Sequence, residues 1–483
     1  MTRPNIVWIY CDELRNDALG CYGNDHAVMQ TPHIDALAEG GVRFDACFCN
    51  SPVCVPSRAS TLTALHPEDM GVYHNEAFWP NFVLPDPPVT FPEILAGHGY
   101  QSASFGKTHI PRALKPWPWD VERMKGSLHR DYLDGLDLEA IGAVRPPGGG
   151  LVLGGTFPSD RPYPGDMVTG NALAWMRQAR EPYLVRIAYL QPHTPVLPPP
   201  PFATLYEKAS FPDQIEAPPE SVSRFEKRFA EVFGGPDMTP EQRFKAQMYY
   251  YGLVAWIDSQ VGRVTQALKD MGQDKRTLVV FGSDHGTSLG EAGMYQKQTF
   301  AYPVHRVPFL MRWPGVLAQG QARTDLCEGL DLARTLLSLA GVEPEPAFKG
   351  RDVFSSAPPE AVFSTIGYGF RNSRAFPNLR AGRYLDGHGW PRRACIRTDR
   401  FRLDLNARLD GGPVALEDED VFLADRNSDP AERFNLADDP NYQDVRARLS
   451  ERLKAHLAGA VEPPEAYVLL EGAGQQTRKG TEA

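Results

Sequence analysis

The segment Cys54-Val55-Pro56-Ser57-Arg58 is the sharpest chemical signal in the chain. Pro56 suits a first helical turn and Ala59-Ser60-Thr61-Leu62 can continue it, which puts Cys54 at a helix N-terminus, where backbone N–H groups favour negative charge. Arg58, four residues on, falls one turn along the same face. On this pattern alone, a small buried apolar cysteine beside an unrelated arginine is an equal reading. Two acid-bearing pairs, Asp12-Glu13 and Asp284-His285, each follow an apolar run. Carboxylates at two strand ends can converge on one hard cation, which prefers oxygen ligands. For either pair taken singly, helix capping or a turn is the commoner use of Asp.

Further candidates stand at similar junctions. Lys107 and His109, in Gly106-Lys107-Thr108-His109, follow an apparent strand near 100–105, and their alternation lets both point to one side of an extended chain. His193, in Gln191-Pro192-His193-Thr194-Pro195, follows the run 183–190. Lys297 sits in a loop between Asp284 and a strand near 307. Taken one at a time, the histidines read as hydrogen-bonded structural residues and the lysines as solvated ones.

The elements that must position these groups are legible as periodicity. Residues 5–10, 277–281 and 307–312 are short apolar runs bounded by polar residues and read as buried strands. Thr31-Pro32-His33-Ile34-Asp35 opens a helix that Gly40-Gly41 ends. Over 244–271, Tyr250, Val254, Ile257, Val261, Val264 and Leu268 recur three and four apart, one buried helical face, and Gly272 stops it. Residues 331–340 form a short amphipathic helix, whereas 144–166 and 192–201, rich in Pro and Gly, read as loops. Strands alternating with helices predict an α/β fold, a mainly parallel sheet covered on both faces. Beyond about residue 358 the texture changes: 394–405 alternates like one strand with a wet face, 425–430 is turn-rich, 442–457 reads as a terminal helix and the last dozen residues as a frayed polar tail. This divides the chain into a large domain, 1–358, and a smaller α+β domain, 359–483.

Bulk properties narrow the function. A chain of 483 residues with 42% hydrophobic and 23% charged residues is an ordinary globular composition. A net charge of −10 argues against a general nucleic-acid binder, though a few buried cations can still dominate one anion pocket. The apolar segment 6–10 is too short for a leader core or a membrane span, and no later run approaches the ~20 apolar residues a span needs, so a cytoplasmic protein without a membrane partner is expected. A targeting segment already removed would leave the same mature chain. Seven cysteines, an odd number in a large chain, do not suggest a disulfide scaffold, and Cys47, Cys49 and Cys54 lack the paired spacing of a zinc site.

Taken in order, these segments resemble the sulfatase family of the alkaline phosphatase superfamily. The matching pieces are Asn5-Ile6-Val7 through Asp12, Thr31 to Asp35, Cys54-x-Pro56-Ser57-Arg58, Gly106-Lys107-x-His109 and Pro192-His193-x-Pro195. They continue through Ser283-Asp284-His285-Gly286, Lys297, Arg306-Val307-Pro308, Trp313-Pro314-Gly315, and, more weakly, Asn427-Ser428-Asp429-Pro430 with Asn435-Leu436. The resemblance implies an alkaline phosphatase-like fold, a large mixed but mainly parallel sheet between helices. It implies a maturation enzyme that oxidises Cys54 to a formylglycine. One hydroxyl of the aldehyde hydrate would attack sulfur and the other would release inorganic sulfate, which is nucleophilic catalysis with a built-in release step. Asp12, Glu13, Asp284, His285 and the modified Cys54 then match metal ligands, with Glu13 standing where many members have Asp. The implied ion is calcium, with manganese or magnesium as alternatives. Arg58 would orient the diol, Lys107 and Lys297 would neutralise sulfate oxygens, His109 would be the base of the release step, and His193 the acid or a sulfate donor. Tyr302 stands where the family often has Glu.

The implied activity is hydrolysis of a small anionic ester, an aryl or sugar sulfate. Hydrolysis of a phosphonate monoester or phosphodiester with the same nucleophile is the near alternative, and an unmodified Cys54 would leave a non-catalytic anion-binding relative. Substrate-contacting loops are expected within 110–235, where Trp117, Trp119, Arg130, Tyr132 and Pro198 to Pro201 can line a wall or simply pack; a homo-oligomer is admitted.

Overall fold

The computed structural model describes residues 3–23, 29–78, 84, 86–111, 114, 119–147, 151–211, 222–367, 384 and 389–463. Fourteen strands are described, the first ten being β1 (Asn5–Asp12), β2 (Val42–Phe48), β3 (Gln101–Gly106), β4 (Val121–Arg123), β5 (Tyr183–Pro192), β6 (Thr277–Ser283), β7 (Ser288–Leu289), β8 (Tyr295–Gln296), β9 (Phe309–Arg312) and β10 (Gln321–Glu328). Eight of them make the main sheet, in the order β10-β2-β9-β6-β1-β5-β3-β4. Only β9 runs against the rest. The sheet is therefore mixed and mainly parallel, as expected.

The central strand shows why the sheet is covered twice. Every residue of β1 is buried. Because successive side chains alternate between faces, Val7, Ile9 and Cys11 enter one core with the long helix Pro240–Asp270, while Ile6, Trp8 and Tyr10 enter another with the helices Cys54–Thr63, Phe91–Gly97 and Asp331–Leu339. A fully buried aliphatic or aromatic side chain contributes roughly 1.5–3 kcal/mol, so an apolar run of this kind is committed to the sheet centre.

Several sequence expectations need correction. The long helix starts at Pro240, capped by Thr239, whose hydroxyl accepts from Gln242 N–H at 3.2 Å; the signal was Thr-Pro-x-Gln ahead of the apolar stripe. The strand read over 394–405 is two strands, β12 (Arg392–Arg397) and β13 (Phe401–Arg408), paired antiparallel around Thr398, whose hydroxyl accepts from Phe401 N–H at 2.8 Å. The helix Pro164–Met176 begins inside the stretch read as loop. Tyr132 and Trp119 are packing residues: Tyr132 is buried against Phe157 and Tyr163, and Trp119 lies in the second core, under Arg186. Trp117 and the polar tail beyond 463 lie outside the described residues.

β12 and β13 belong to a four-stranded antiparallel sheet, β11 (Val362–Gly367), β12, β13 and β14 (Phe422–Asp425), against which the helix Gln443–Leu457 packs Leu449 and Leu453. Two contacts matter for the main sheet's upper edge. Thr365 N–H donates to Asn50 O at 3.1 Å, and the Arg397 guanidinium, ion-paired with Glu432, donates to Phe300 O at 3.0 Å.

The end of β3 has no room to spare. Gly106 has φ +95°, and a Cβ there would lie 2.0 Å from Ala188 O. Gly106→Ala is expected to lower the unfolding free energy in urea by more than about 2 kcal/mol, whereas Gly97→Ala, at a helical site with open space, changes it by less than about 1 kcal/mol. Equal midpoints for the two variants would contradict this reading of the strand end.

Candidate active site

Four adjacent parallel strands, β6, β1, β5 and β3, end on the same edge of the sheet, and each delivers one charged or titratable group there: Asp284, Asp12, His193 and Lys107. Ligands of open α/β sheets bind outside such carboxyl ends. The strand ends are stitched together by backbone bonds, Asp284 N–H to Cys11 O at 3.2 Å and His193 N–H to Asp12 O at 3.1 Å. Cys54 is the first residue of the helix Cys54–Thr63, which is buried along its whole length, and Ser57 Oγ donates to Asp284 O at 2.6 Å to fasten that helix to the end of β6.

Arg58 occupies the middle of the arrangement. Its Nε donates to Asp284 Oδ2 at 2.7 Å, Nη2 to Asp12 Oδ2 at 2.9 Å and Nη1 to Lys107 O at 2.9 Å. One side chain thereby ties together the ends of β6, β1 and β3. Lys107 Nζ is 2.7 Å from Asp12 Oδ2. Lys297 follows the short ribbon β7–β8, pairs with the Glu13 carboxylate and lies 3.3 Å from Cys54 Sγ. Around that sulfur stand His285 Nε2 at 3.4 Å, Asp12 Oδ1 at 3.5 Å and Lys107 Nζ at 3.8 Å.

The charges sort accordingly. Burial and the Asp12 carboxylate push the Cys54 thiol up, but Lys107, Lys297 and His285 outweigh them and bring it down to about 6. The two carboxylates split as close like charges do: burial and Asp12 raise Asp284 to about 6, whereas Asp12 itself, although buried, is held well below the carboxylate range by Lys107 and its other cationic neighbours. Burial, then the lysines, keeps the rings of His109 and His193 neutral.

The donor set fits a divalent cation. One donor atom from each of Asp12, Cys54, Asp284 and His285 lies within 4.8 Å of the others, and all four residues are buried. His285 Nδ1 is 2.9 Å from Gly286 O, a contact that holds a proton on Nδ1 and directs Nε2 at the cluster, where a bound cation would take the place of the second proton. Carboxylate oxygens with one imidazole suit a hard or borderline ion. Glu13 turns elsewhere: its φ is +66°, and its Oε1 faces Lys297 Nζ and, at 3.3 Å, His193 Nε2. It shares only Asp12 with the first set, in a second donor group of Asp12, Glu13 and His193. His109 is not in an extended segment; with φ +44° its ring meets Phe78 edge-on at 5.0 Å, and its buried Nδ1 has no hydrogen-bond partner among the described residues.

Two supporting residues went unread in the sequence. Arg186 is buried in β5 between Trp8 and Trp119, and its guanidinium donates to Lys107 O and, at 3.3 Å, to Thr108 O, so it fixes the turn that aims Lys107. A lone arginine inside the apolar run of β5 was the available signal. Asn75 Oδ1 accepts from Val55 N–H at 2.9 Å and satisfies an amide of the first turn beside Cys54; nothing in its sequence surroundings marks it.

Two outcomes follow from this charge balance. Arg58→Ala removes the guanidinium that both buried carboxylates share, leaving Asp12 with its lysine contacts and Asp284 with His285 beside it, and is expected to cost about 3–5 kcal/mol, read by urea unfolding, with part of the loss recovered when a divalent cation is added. In unmodified, metal-free protein, thiolate absorbance is expected to titrate with a midpoint near pH 6, because Cys11, Cys49, Cys327 and Cys395 are pushed up by burial and stay protonated there. Since the folded value lies below the unfolded one of about 8.5, the associated stabilisation is complete above the latter and fades as pH falls through about 6. Lys297→Met should move the midpoint up; an unmoved midpoint would show that Lys297 does not set it.

Comparison with known proteins agrees with this geometry. The sulfatase family model matches residues 4–342, and a model for the C-terminal part of N-sulphoglucosamine sulphohydrolase matches 290–458. An ulvan-active sulfatase of Formosa agariphila is 27% identical over 474 residues, covering 95% of this chain and 81% of its own. An N-acetylglucosamine-6-O-sulfatase of Bacteroides thetaiotaomicron is 24% identical over 464 residues, covering 83% and 78%. Among solved structures, a phosphonate monoester hydrolase from Silicibacter pomeroyi superposes with a TM-score of 0.74 at 25% identity, over 95% of this chain and 96% of that one. With a family model spanning the whole main sheet and every residue of the buried cluster, the chain belongs to the sulfatase family.

Proposed function

We propose that this chain hydrolyses a sulfate monoester of a sugar or a phenol, giving the free alcohol and inorganic sulfate, with Cys54 as the precursor of a formylglycine nucleophile. The observation that carries the proposal is the position of the Cys54 sulfur, which lies 3.3 Å and 3.8 Å from two ammonium groups and within one four-donor cluster. Two sulfatase relatives named for sulfated carbohydrate substrates support the sugar class. A maturation enzyme is required to oxidise Cys54, and the hydrated aldehyde supplies two geminal hydroxyls, one to attack sulfur and one to expel sulfate. Asp12, Asp284 and His285 hold a divalent cation, calcium first and manganese or magnesium as alternatives, which supplies positive charge for ionising a hydroxyl and polarising the sulfate.

The chain's own groups then divide the work. Lys107 and Lys297 neutralise the sulfate oxygens, and in a buried site such compensation is typically the largest catalytic contribution. Arg58, anchored on Asp12 and Asp284, orients the diol. The unpartnered Nδ1 of His109 is an acceptor for the proton removed in the release step, and His193, whose Nδ1 lies against Thr194 O and whose Nε2 faces the site, donates to the sulfate or the leaving oxygen once Nε2 takes up a proton. Glu13 keeps Lys297 and His193 in register.

A second reading, phosphonate monoester or phosphodiester hydrolysis through the same nucleophile, is favoured by the structural likeness to the phosphonate monoester hydrolase. A panel of sulfate, phosphonate and phosphodiester esters separates the two, and a preference for the phosphorus esters would overturn the sulfate assignment. Cys54→Ala is expected to abolish turnover and Lys297→Ala to lower kcat by about a hundredfold or more. Peptide mass spectrometry of protein from its native host should find formylglycine at position 54. A free thiol there, with tight anion binding and no turnover, would instead mark a non-catalytic relative.

A further inference from the structure

His66, Glu68 and His456 bring three donor atoms within 4.8 Å of one another, remote in sequence from the residues around Cys54 and drawn from both sheets' surroundings. His66 is the N-cap of the short helix Pro67–Met70, and Glu68 lies within it. His456 is in the last turn of the helix Gln443–Leu457, which packs on the antiparallel sheet. We propose that these three side chains form a second metal site, for zinc or a similar borderline divalent ion, which fastens the C-terminal helix to the main-sheet unit.

The support around each donor is what such a site needs. Glu68 Oε2 accepts from Thr365 Oγ1 at 2.7 Å, which leaves Oε1 to face both imidazoles, 2.5 Å from His456 Nε2 and 4.0 Å from His66 Nδ1. The His456 ring is stacked flat on Phe363, centroids 3.9 Å apart and planes 4° apart. The His66 backbone is fixed by its N–H bond to Asp69 Oδ2 at 3.0 Å; the Asn50 Nδ2 donor, 3.5 Å from His66 Nδ1, would give way to the ion. Outer partners that orient ligands in this way are a regular part of metal sites. Two nitrogens and one oxygen suit zinc better than calcium, which takes oxygen ligands. Zinc sits about 2.0–2.2 Å from such donors, so His66 and His456 must close in around the ion. His456 is the most open of the three, its side chain 18% exposed and in the last turn of its helix, which leaves it freest to move. Val461 N–H donates to Glu68 O at 2.7 Å, so the segment after the helix already lies against this point.

Equilibrium dialysis of the full chain against micromolar zinc, with bound metal counted per chain, tests the proposal. Wild-type protein is expected to retain one zinc more than His456→Gln and His66→Gln, whatever the occupancy around Cys54. X-ray absorption of that extra zinc is expected to show imidazole scattering. An equal count in wild type and in folded variants overturns the assignment. Should a variant fail to fold, the wild type decides alone: anomalous scattering above the zinc edge must place an ion among the three side chains, and its absence there overturns the assignment as well.

Discussion

Asp12 and Asp284 stand side by side at the ends of neighbouring strands, both completely buried, and the Arg58 guanidinium between them is what allows two carboxylates to share that space. Without cations beside them, burial and mutual repulsion would favour holding a proton on at least one. With Lys107 and Arg58 both against it, Asp12 stays ionised, while Asp284 is left near the point of protonation. The rest of the site depends on this arrangement. The helix Cys54–Thr63 can present Cys54 to the strand ends only because the same helix carries the arginine that binds those ends.

The site is also a balance of excesses. A chain with net charge −10 gathers Arg58, Lys107 and Lys297 within one buried pocket, where low polarisability makes each worth far more than on the surface. These cationic side chains neutralise the internal carboxylates of Asp12, Glu13 and Asp284. Glu13 shows the economy of the design. By turning toward Lys297 rather than joining the four-donor cluster, it holds a long flexible side chain against the sulfur of Cys54.

Much of this could be read from the chain before any fold was known, and the reason is local. Asp12, Asp284, Lys107 and His193 each stand at or just past the end of a segment readable as a strand, so the strand and the functional group were one signal. Cys54 and Arg58 were one helical turn apart. Features set by tertiary contact were not readable. The positive φ of Glu13 sends its side chain away from its neighbour's, and no residue type near it announces that turn. Lys297 is aimed by a ribbon of two-residue strands, too short to leave a period. The hairpin of β12 and β13 hid inside an uninterrupted alternation because Thr398, Asp399 and Arg400 contain neither Gly nor Pro.

The Cys54 side chain is entirely enclosed, walled by a strand near the beginning of the chain and by Lys297, 243 residues downstream of it. During ribosomal synthesis Cys54 emerges long before that downstream wall exists. Any macromolecule that must touch this sulfur therefore has a window bounded by translation of the later half, after which the door is shut by the protein's own folding. The order in which the chain is made thus decides when this sulfur can be reached.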